Sequence, residues 1–296
     1  MALLSCLLAA IAAAQSVSPD SAESIGPRKP GLFDRVIAKQ KHNEQALEIY
    51  ERLERVEARK HSNDPAPPAV KTFRVIPSGT GMDRIPVGPD GRPADPAAYR
   101  LELEKLEKAL TLAAGQGRAQ HEAVDKYAKK KKDRNDLIDA TRNAFLFKFL
   151  ARELRGDRML SKYTMEPNPA FKPTTRFTAI YTKVQGFIWI AEDSEQLARI
   201  EGEVTDDISV GLFLGKIYKG SHFMQERYEF FPGVWLASFT QYDFDGRKIF
   251  SGFSIHERTF YSNYRYIGPP DEALAAIRKE LADGDLGKSG STAAEP

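Results

Sequence analysis

Cysteine is nearly absent from this sequence: Cys6 is the only one, and it sits inside an apolar N-terminal run. No disulfide can form within the chain and a structural zinc site lacks its thiolates, so the fold must rest on packing. Histidine is almost as scarce. None of His42, His61, His121, His222 and His256 stands at a metal-ligand spacing such as H-x-x-x-H, so neither metal nor cofactor is expected. An excess of one charge sign is missing too. A net charge of +2 gives no field that argues for nucleic acid, anionic membrane or an acidic substrate. Past the first apolar run, no segment approaches the about 18 apolar residues of a membrane span.

Catalytic signatures are equally thin. "GLFLGK", Gly211 to Lys216, is one residue short of a phosphate loop and sits in strand-like sequence, so its glycines read as a bulge or sheet bend. "SGTG", Ser78 to Gly81, has no helix behind it, and no G-x-S-x-G exists for an elbow serine. "RGD", Arg155 to Asp157, reads as a turn, and Asp243 and Asp245 are explained by a hairpin turn at Asp245-Gly246. Glu201 and Glu203 share a strand face with Arg199, which predicts a surface ion-pair row and not a glycosidase pair. No catalytic residue is expected.

What is present is 42% hydrophobic residues over 296 positions, ample for a core. Residues 1–14, "MALLSCLLAAIAAA", read as a secretory leader with Ala12 and Ala14 as the cleavage pattern, which puts the protein in the periplasm or outside the cell. Residues 15–31 read as a disordered linker, 32–283 as a single domain with a helical insert at about 97–144, and 284–296 as a disordered tail.

Helical spacing opens near Phe33. From Tyr50 the pattern fits helix or strand equally. "AVKTFRVI" alternates as a strand, and "PSGTGMDRIPVGPDGRPADP" reads as turns with Asp90-Gly91 the tightest. Ala97 to Ala114 carries an amphipathic helix, and Ala119 to Ala144 a more polar one whose "KYAKKKKDRND" predicts a solvated face. Phosphate or lipid-headgroup contact by that run is the sharper alternative, and salt dependence separates the two.

From Phe145 to about Ile267 the pattern is β. Phe145, Phe147 and Phe149 share a face, and Thr174 to Thr182 alternates as a strand. Then come "GFIWIAE", "EQLARIEGEV", "ISVGLFLGKIYKG", "SHFMQERYEFF", "GVWLASFTQYDF", "RKIFSGFSIHER" and "FYSNYRYIG". Their short spacing predicts hairpins and an antiparallel sheet. "PDEALAAIRKELA" closes the chain as a helix with Ala273, Ala276, Ile277 and Leu281 on its apolar stripe. The class is therefore α+β.

Aromatic density is the feature that stands out. Both faces of "GFIWI" are apolar, with Phe187 and Trp189 opposite Ile188 and Ile190, and "GVWLASF" sets Trp235, Ala237 and Phe239 against Val234 and Leu236. Such strands need cover on both sides, from helices, a second layer or a ligand. The aromatics chosen as candidate ligand-binding residues are Phe187, Trp189, Phe213, Phe223, Trp235 and Phe239. An acyl chain entering a cavity between them would gain about 0.8 kcal/mol per buried methylene.

"VQGFIWIAEDSEQLARIEGEV", a tryptophan strand, an acidic turn and a strand ending in Arg-Ile-Glu, resembles a strand pair of the LolA-like and LolB-like periplasmic lipoprotein-carrier fold. The strands from Leu214 to Arg258 resemble those of an exported bacterial protein family of unassigned function. The resemblance implies a curved antiparallel sheet, a half-barrel packed with helices, whose apolar concavity holds acyl chains. It implies a binding protein for a lipid or lipoprotein acyl chain, with peripheral membrane contact and no enzyme activity. A non-enzymatic envelope scaffold and a hydrolase using scattered acids are the other readings.

Overall fold

The computed structural model describes residues 31–61, 64–115, 117–175, 177–210, 215–248 and 251–283. The expected leader, the linker except Gly31, and the tail lie outside these residues. The class is α+β, an antiparallel sheet with helices, as the sequence pattern predicts.

The chain parts into two compact units. One holds Asp133–His256 with the chain up to Asn43 and Lys60–Ser62; the other holds Glu44–Arg59, Asn63–Lys132 and the chain from Glu257. In the first unit the strands β4 (Phe145–Arg155), β5 (Arg158–Pro167), β6 (Val184–Ala191), β7 (Gln196–Val204), β10 (His222–Phe231) and β11 (Val234–Lys248) lie side by side in the order β11-β10-β7-β6-β5-β4. The short strands β8 (Ile208–Val210) and β9 (Gly215–Ile217) form a hairpin, and β9 pairs with β11. At the far end β4 pairs only with β5, and its Leu146, Phe149, Leu150 and Leu154 are exposed.

One face of this sheet is closed by helix α1 (Leu32–Ala46) and the C-terminal turns of α3 (Arg118–Ala144). Phe33, Val36 and Ile37 of α1 and Leu137 and Ile138 of α3 pack on Phe145, Met165, Ile188, Ile200, Val204, Phe223 and Phe244, all buried. Each such side chain contributes about 1.5–3 kcal/mol by leaving water. Asn43, 1% exposed, ties α1 down: its amide donates to Gln196 Oε1 at 2.9 Å and its Oδ1 accepts the Trp235 backbone N–H at 3.0 Å.

The second unit pairs β1 (Tyr50–Arg59), β2 (Ala69–Pro77) and β3 (Met82–Val87), with β12 (Ser251–Tyr266) beside β1. Helix α2 (Pro96–Ala114) starts on Asp95, whose carboxylate accepts the N–H groups of Ala97 and Ala98, with Pro96 in the first turn where no N–H is needed. Its stripe Tyr99, Leu103, Leu106 and Leu110 packs on Ile76 and Ile85 and on Ala273, Leu274, Ile277 and Leu281 of α4 (Pro270–Asp283). Leu274, and not Ala276, completes the α4 stripe. Beneath the helices Arg74 of β2, 10% exposed in its side chain, bridges Glu51 and Glu280 at 2.8 Å each and donates to Tyr99 Oη at 2.6 Å.

Five local expectations are corrected. Thr174 to Thr182 is not a strand but ends in a 3-10 turn, Thr178–Lys183. Thr175 Oγ1 accepts the Thr178 N–H, while Thr178 Oγ1 accepts those of Thr174 and Thr175, and this reciprocal box out-competes a ladder. Met82–Val87, taken as turns, is a strand; it tolerates Pro86 because it lies at the sheet's end. "ISVGLFLGKIYKG" is two short strands, with 211–214 outside the described residues. Asp245-Gly246 is not a turn: β11 runs through it, and a methyl on Gly246 would overlap the Lys216 carbonyl and the Phe253 ring. The expected strand from Arg247 to Arg258 starts inside β11, which ends at Lys248, and from Ser251 it runs on without a break through the next expected strand as β12, since Arg258-Thr259 offers no glycine or proline to turn on.

Gly91 and Gly156 both take a positive φ in turns, the chain turns at Gly156-Asp157, and Lys126, Lys129 and Lys130 of α3 are exposed.

Candidate functional site

The face of the first unit opposite its helices is organised in ladder rows. Residues paired across an antiparallel sheet project together, so strand register alone lists what shares a surface. Lys162, Trp189, Arg199, Glu226 and Phe239 form one row across β5, β6, β7, β10 and β11. Two residues along, Thr164, Phe187, Glu201, Met224 and Gln241 form the next, and then Gln185, Glu203, His222 and Asp243. Between the last two rows Gly186 stands opposite Gly202.

The first row is filled. Lys162 Nζ sits 4.6 Å from the ring centres of both Phe187 and Trp189, and the Arg199 guanidinium lies 5.1 Å from Trp189. Trp189 donates its Nε1–H to Glu153 at 2.8 Å, and Arg158 covers Trp235 at 4.9 Å. Cations on aromatic faces gain about 0.5–2 kcal/mol each and here cover what would otherwise be an apolar surface. Trp189 and Trp235 are 3% and 2% exposed, packed with Leu160, Ala191 and Ala198 into a small second core.

Beside this cover lies a hollow of about 680 Å³ over Gly186 and Gly202, within the range of small-ligand sites. Phe187 and Met224 supply its apolar side chains, Met165 and Phe223 border it from beneath with their side chains buried in the helix-side core, and Glu166, Glu201, Glu203 and Asp243 supply its carboxylates. Thr164, Gln185, His222 and Gln241 complete the polar side. The glycine pair permits close packing beneath it: Phe223 comes so close to Gly202 that any side chain there would overlap its ring, and a methyl on Gly186 would overlap the Glu201 carbonyl. Thr164 Oγ1 is shielded from solvent and has no hydrogen-bond partner.

Two of the four carboxylates are engaged. Glu201 pairs with Arg199, which also holds Glu226 at 2.5 Å. Asp243 accepts from Gln241 and lies 3.0 Å from Nδ1 of His256, a buried histidine whose Nε2 is 3.5 Å from Asp245. Burial pulls the Arg199 guanidinium below its ordinary value, against the attraction of Glu226. Among the described residues no group of three or more His, Cys, Asp and Glu is placed to hold a metal ion.

Carboxylates of this unit are held low by their partners. The Trp189 hydrogen bond and Lys162 lower Glu153; Arg152 and Ser161 lower Glu192; Arg35 lowers Glu195. Asp206 is lowered by Lys183, Asp207 by Lys216, and Glu229 by the Gly233 N–H and then Arg158. A folded-state value below the unfolded one stabilises above the unfolded value, about 4, and that stability is lost as pH falls through the folded value. Glu257 of the other unit, raised by burial, runs the opposite way. Thermal unfolding should therefore hold a steady midpoint from neutrality to about pH 5 and fall steeply below about pH 4. A midpoint that rises on acidification across that window would contradict these pairings.

Of the six aromatics singled out in the sequence, Phe187 and Phe223 line the hollow. Trp189 and Phe239 lie in the neighbouring row and Trp235 in the second core, while Phe213 is outside the described residues. The polar side is not legible in the sequence because Thr164, Gln185, His222, Gln241 and Asp243 are scattered over four strands. Gly186 and Gly202, both inside the stretch that carries the resemblance, were its only local signal: glycine in a strand interior marks close approach.

An α+β protein with a ligand-sized hollow on the helix-free face of an antiparallel sheet is thus defined. No protein-family model matches the chain, and no curated protein does. Three solved structures are similar to it. A LolA superfamily protein from Nitrosomonas europaea shares 8% identity at a TM-score of 0.31, covering 81% of this chain and 96% of its own. A domain described as an outer membrane lipoprotein-sorting protein, from Vibrio parahaemolyticus, shares 9% at 0.32, covering 83% and 99%. A DUF1329 family protein from Desulfovibrio piger shares 10% at 0.28, covering 78% and 92%. No helix among the described residues is long and apolar enough to cross a membrane.

Proposed function

We propose that this protein is a non-catalytic binding protein of the cell envelope that holds an amphiphile, such as a lipid or lipoprotein acyl chain, in the hollow over Gly186 and Gly202. One observation carries the reading: the hollow sets the apolar side chains of Phe187 and Met224 beside carboxylates and amides. A chain lying on Phe187 and Met224 would leave its polar end among the carboxylates and amides of the neighbouring row. The leader-like residues 1–14 favour an envelope location.

Solvent extraction and mass spectrometry of the purified protein are expected to recover a bound amphiphile. Phe187→Asp, which puts a charge on the apolar surface, should empty it. A clean extract, together with no uptake of added single-chain amphiphiles, would sink the reading.

A further inference from the structure

We propose that the hollow selects amphiphiles whose head group is a cation, an ammonium above all. This rests on the binding reading above and specifies its ligand. Charge is segregated along the face. Every ionisable group lining the hollow is a carboxylate or a histidine: Glu166, Glu201, Glu203, Asp243 and His222. Three basic residues of the same face are a row away and already occupied, Lys162 over Phe187 and Trp189, Arg199 with Glu201 and Glu226, and Arg158 with Glu229, while Lys148 of β4, opposite Thr164, stands at the exposed end of the row and does not border the hollow.

Arg199 answers Glu201, and His256 Nδ1 lies within hydrogen-bond distance of Asp243, whereas Glu166 and Glu203 have no ion-pair partner among the described residues. Glu203 is half-buried between Gln185 and His222 in its row, two residues along β7 from the Phe187, Glu201 and Met224 row. A head group placed there meets carboxylates that no side chain of the hollow neutralises. An ammonium supplies the missing charge, while a phosphate, sulfate or carboxylate head is repelled at the same distance. The tail, in either case, has the same Phe187 and Met224 surface to lie on.

The test is calorimetric titration of the full chain, at low salt, with three probes sharing one tail: dodecyltrimethylammonium, dodecyl maltoside and dodecanoate, each below its micelle concentration. Dodecyltrimethylammonium is expected to bind roughly fivefold more tightly than the maltoside, as two partly exposed ion pairs allow, and dodecanoate more weakly than either. In Glu166→Gln with Glu203→Gln the ratio between cationic and neutral probes should fall toward one, and Glu203→Lys should invert it. Added salt should narrow the preference. Equal binding of all three probes would overturn the charge selection and leave the binding reading standing. A preference that survives both variants would also overturn it, and binding of none would remove the site itself.

Discussion

Arg74→Met is expected to destabilise the second unit by about 3–5 kcal/mol, the largest single-residue effect away from the hollow. Arg74 draws together Glu51 of β1, Tyr99 of α2 and Glu280 of α4, with both acids about as buried as the arginine itself. Tyr99 donates to Glu280 at 3.0 Å, and burial pushes its phenol up to about 12, so it stays a neutral donor. Deleting the guanidinium leaves two buried carboxylates with half their partners gone, although Arg265 still reaches Glu51. The cost is that of stranded charge, since attraction and desolvation nearly cancel while the cluster is whole. Adding Glu280→Leu to Arg74→Met should then recover part of the loss. Urea unfolding of the single and double variants measures both; a single variant within about 0.5 kcal/mol of the parent would mean the cluster is solvated.

Gly186→Ala should cost about 3 kcal/mol and distort the β6–β7 ladder, because the new methyl would overlap the Glu201 carbonyl oxygen, which belongs to backbone and cannot turn aside. Gly202→Ala, directly opposite, meets only the ring of Phe223. Its cost should be smaller and relieved by Phe223→Leu, whereas no side-chain replacement relieves Gly186→Ala. Thermal unfolding of the two alanine variants, with and without Phe223→Leu, gives the comparison. Equal rescue at both positions would show that the ladder, and not the ring, yields.

Where the sequence was legible, the cause was periodicity backed by punctuation. Asp95-Pro96 starts α2 and the 99/103/106/110 stripe sets its buried face; the Arg155-Gly-Asp turn and the alternation of Phe145, Phe147 and Phe149 mark out β4 and β5. The acids of the quoted strand pair were read in part. Arg199 does pair with Glu201, yet Glu203 belongs to the hollow. Where reading failed, short-range chemistry had a second use. Asp-Gly at 245 marks a close approach to Phe253 and not a turn, and the threonine box at 174–178 imitates strand alternation. The polar side was out of reach altogether, since it exists only once register sets Glu203, His222 and Asp243 in one row.

Among the described residues the strand β4 ends the sheet with backbone groups that no neighbouring strand takes up, and it carries exposed Phe149, Leu150 and Leu154. Two copies meeting along such strands would extend each other's sheet, the ordinary route to uncontrolled association. On that same strand Arg152 and Arg155 are engaged by Glu192 and Glu226, while Lys148 has no ion-pair partner among the described residues. A bare lysine charge of this kind is a guard on an edge, keeping an apolar rim from becoming a polymerisation template.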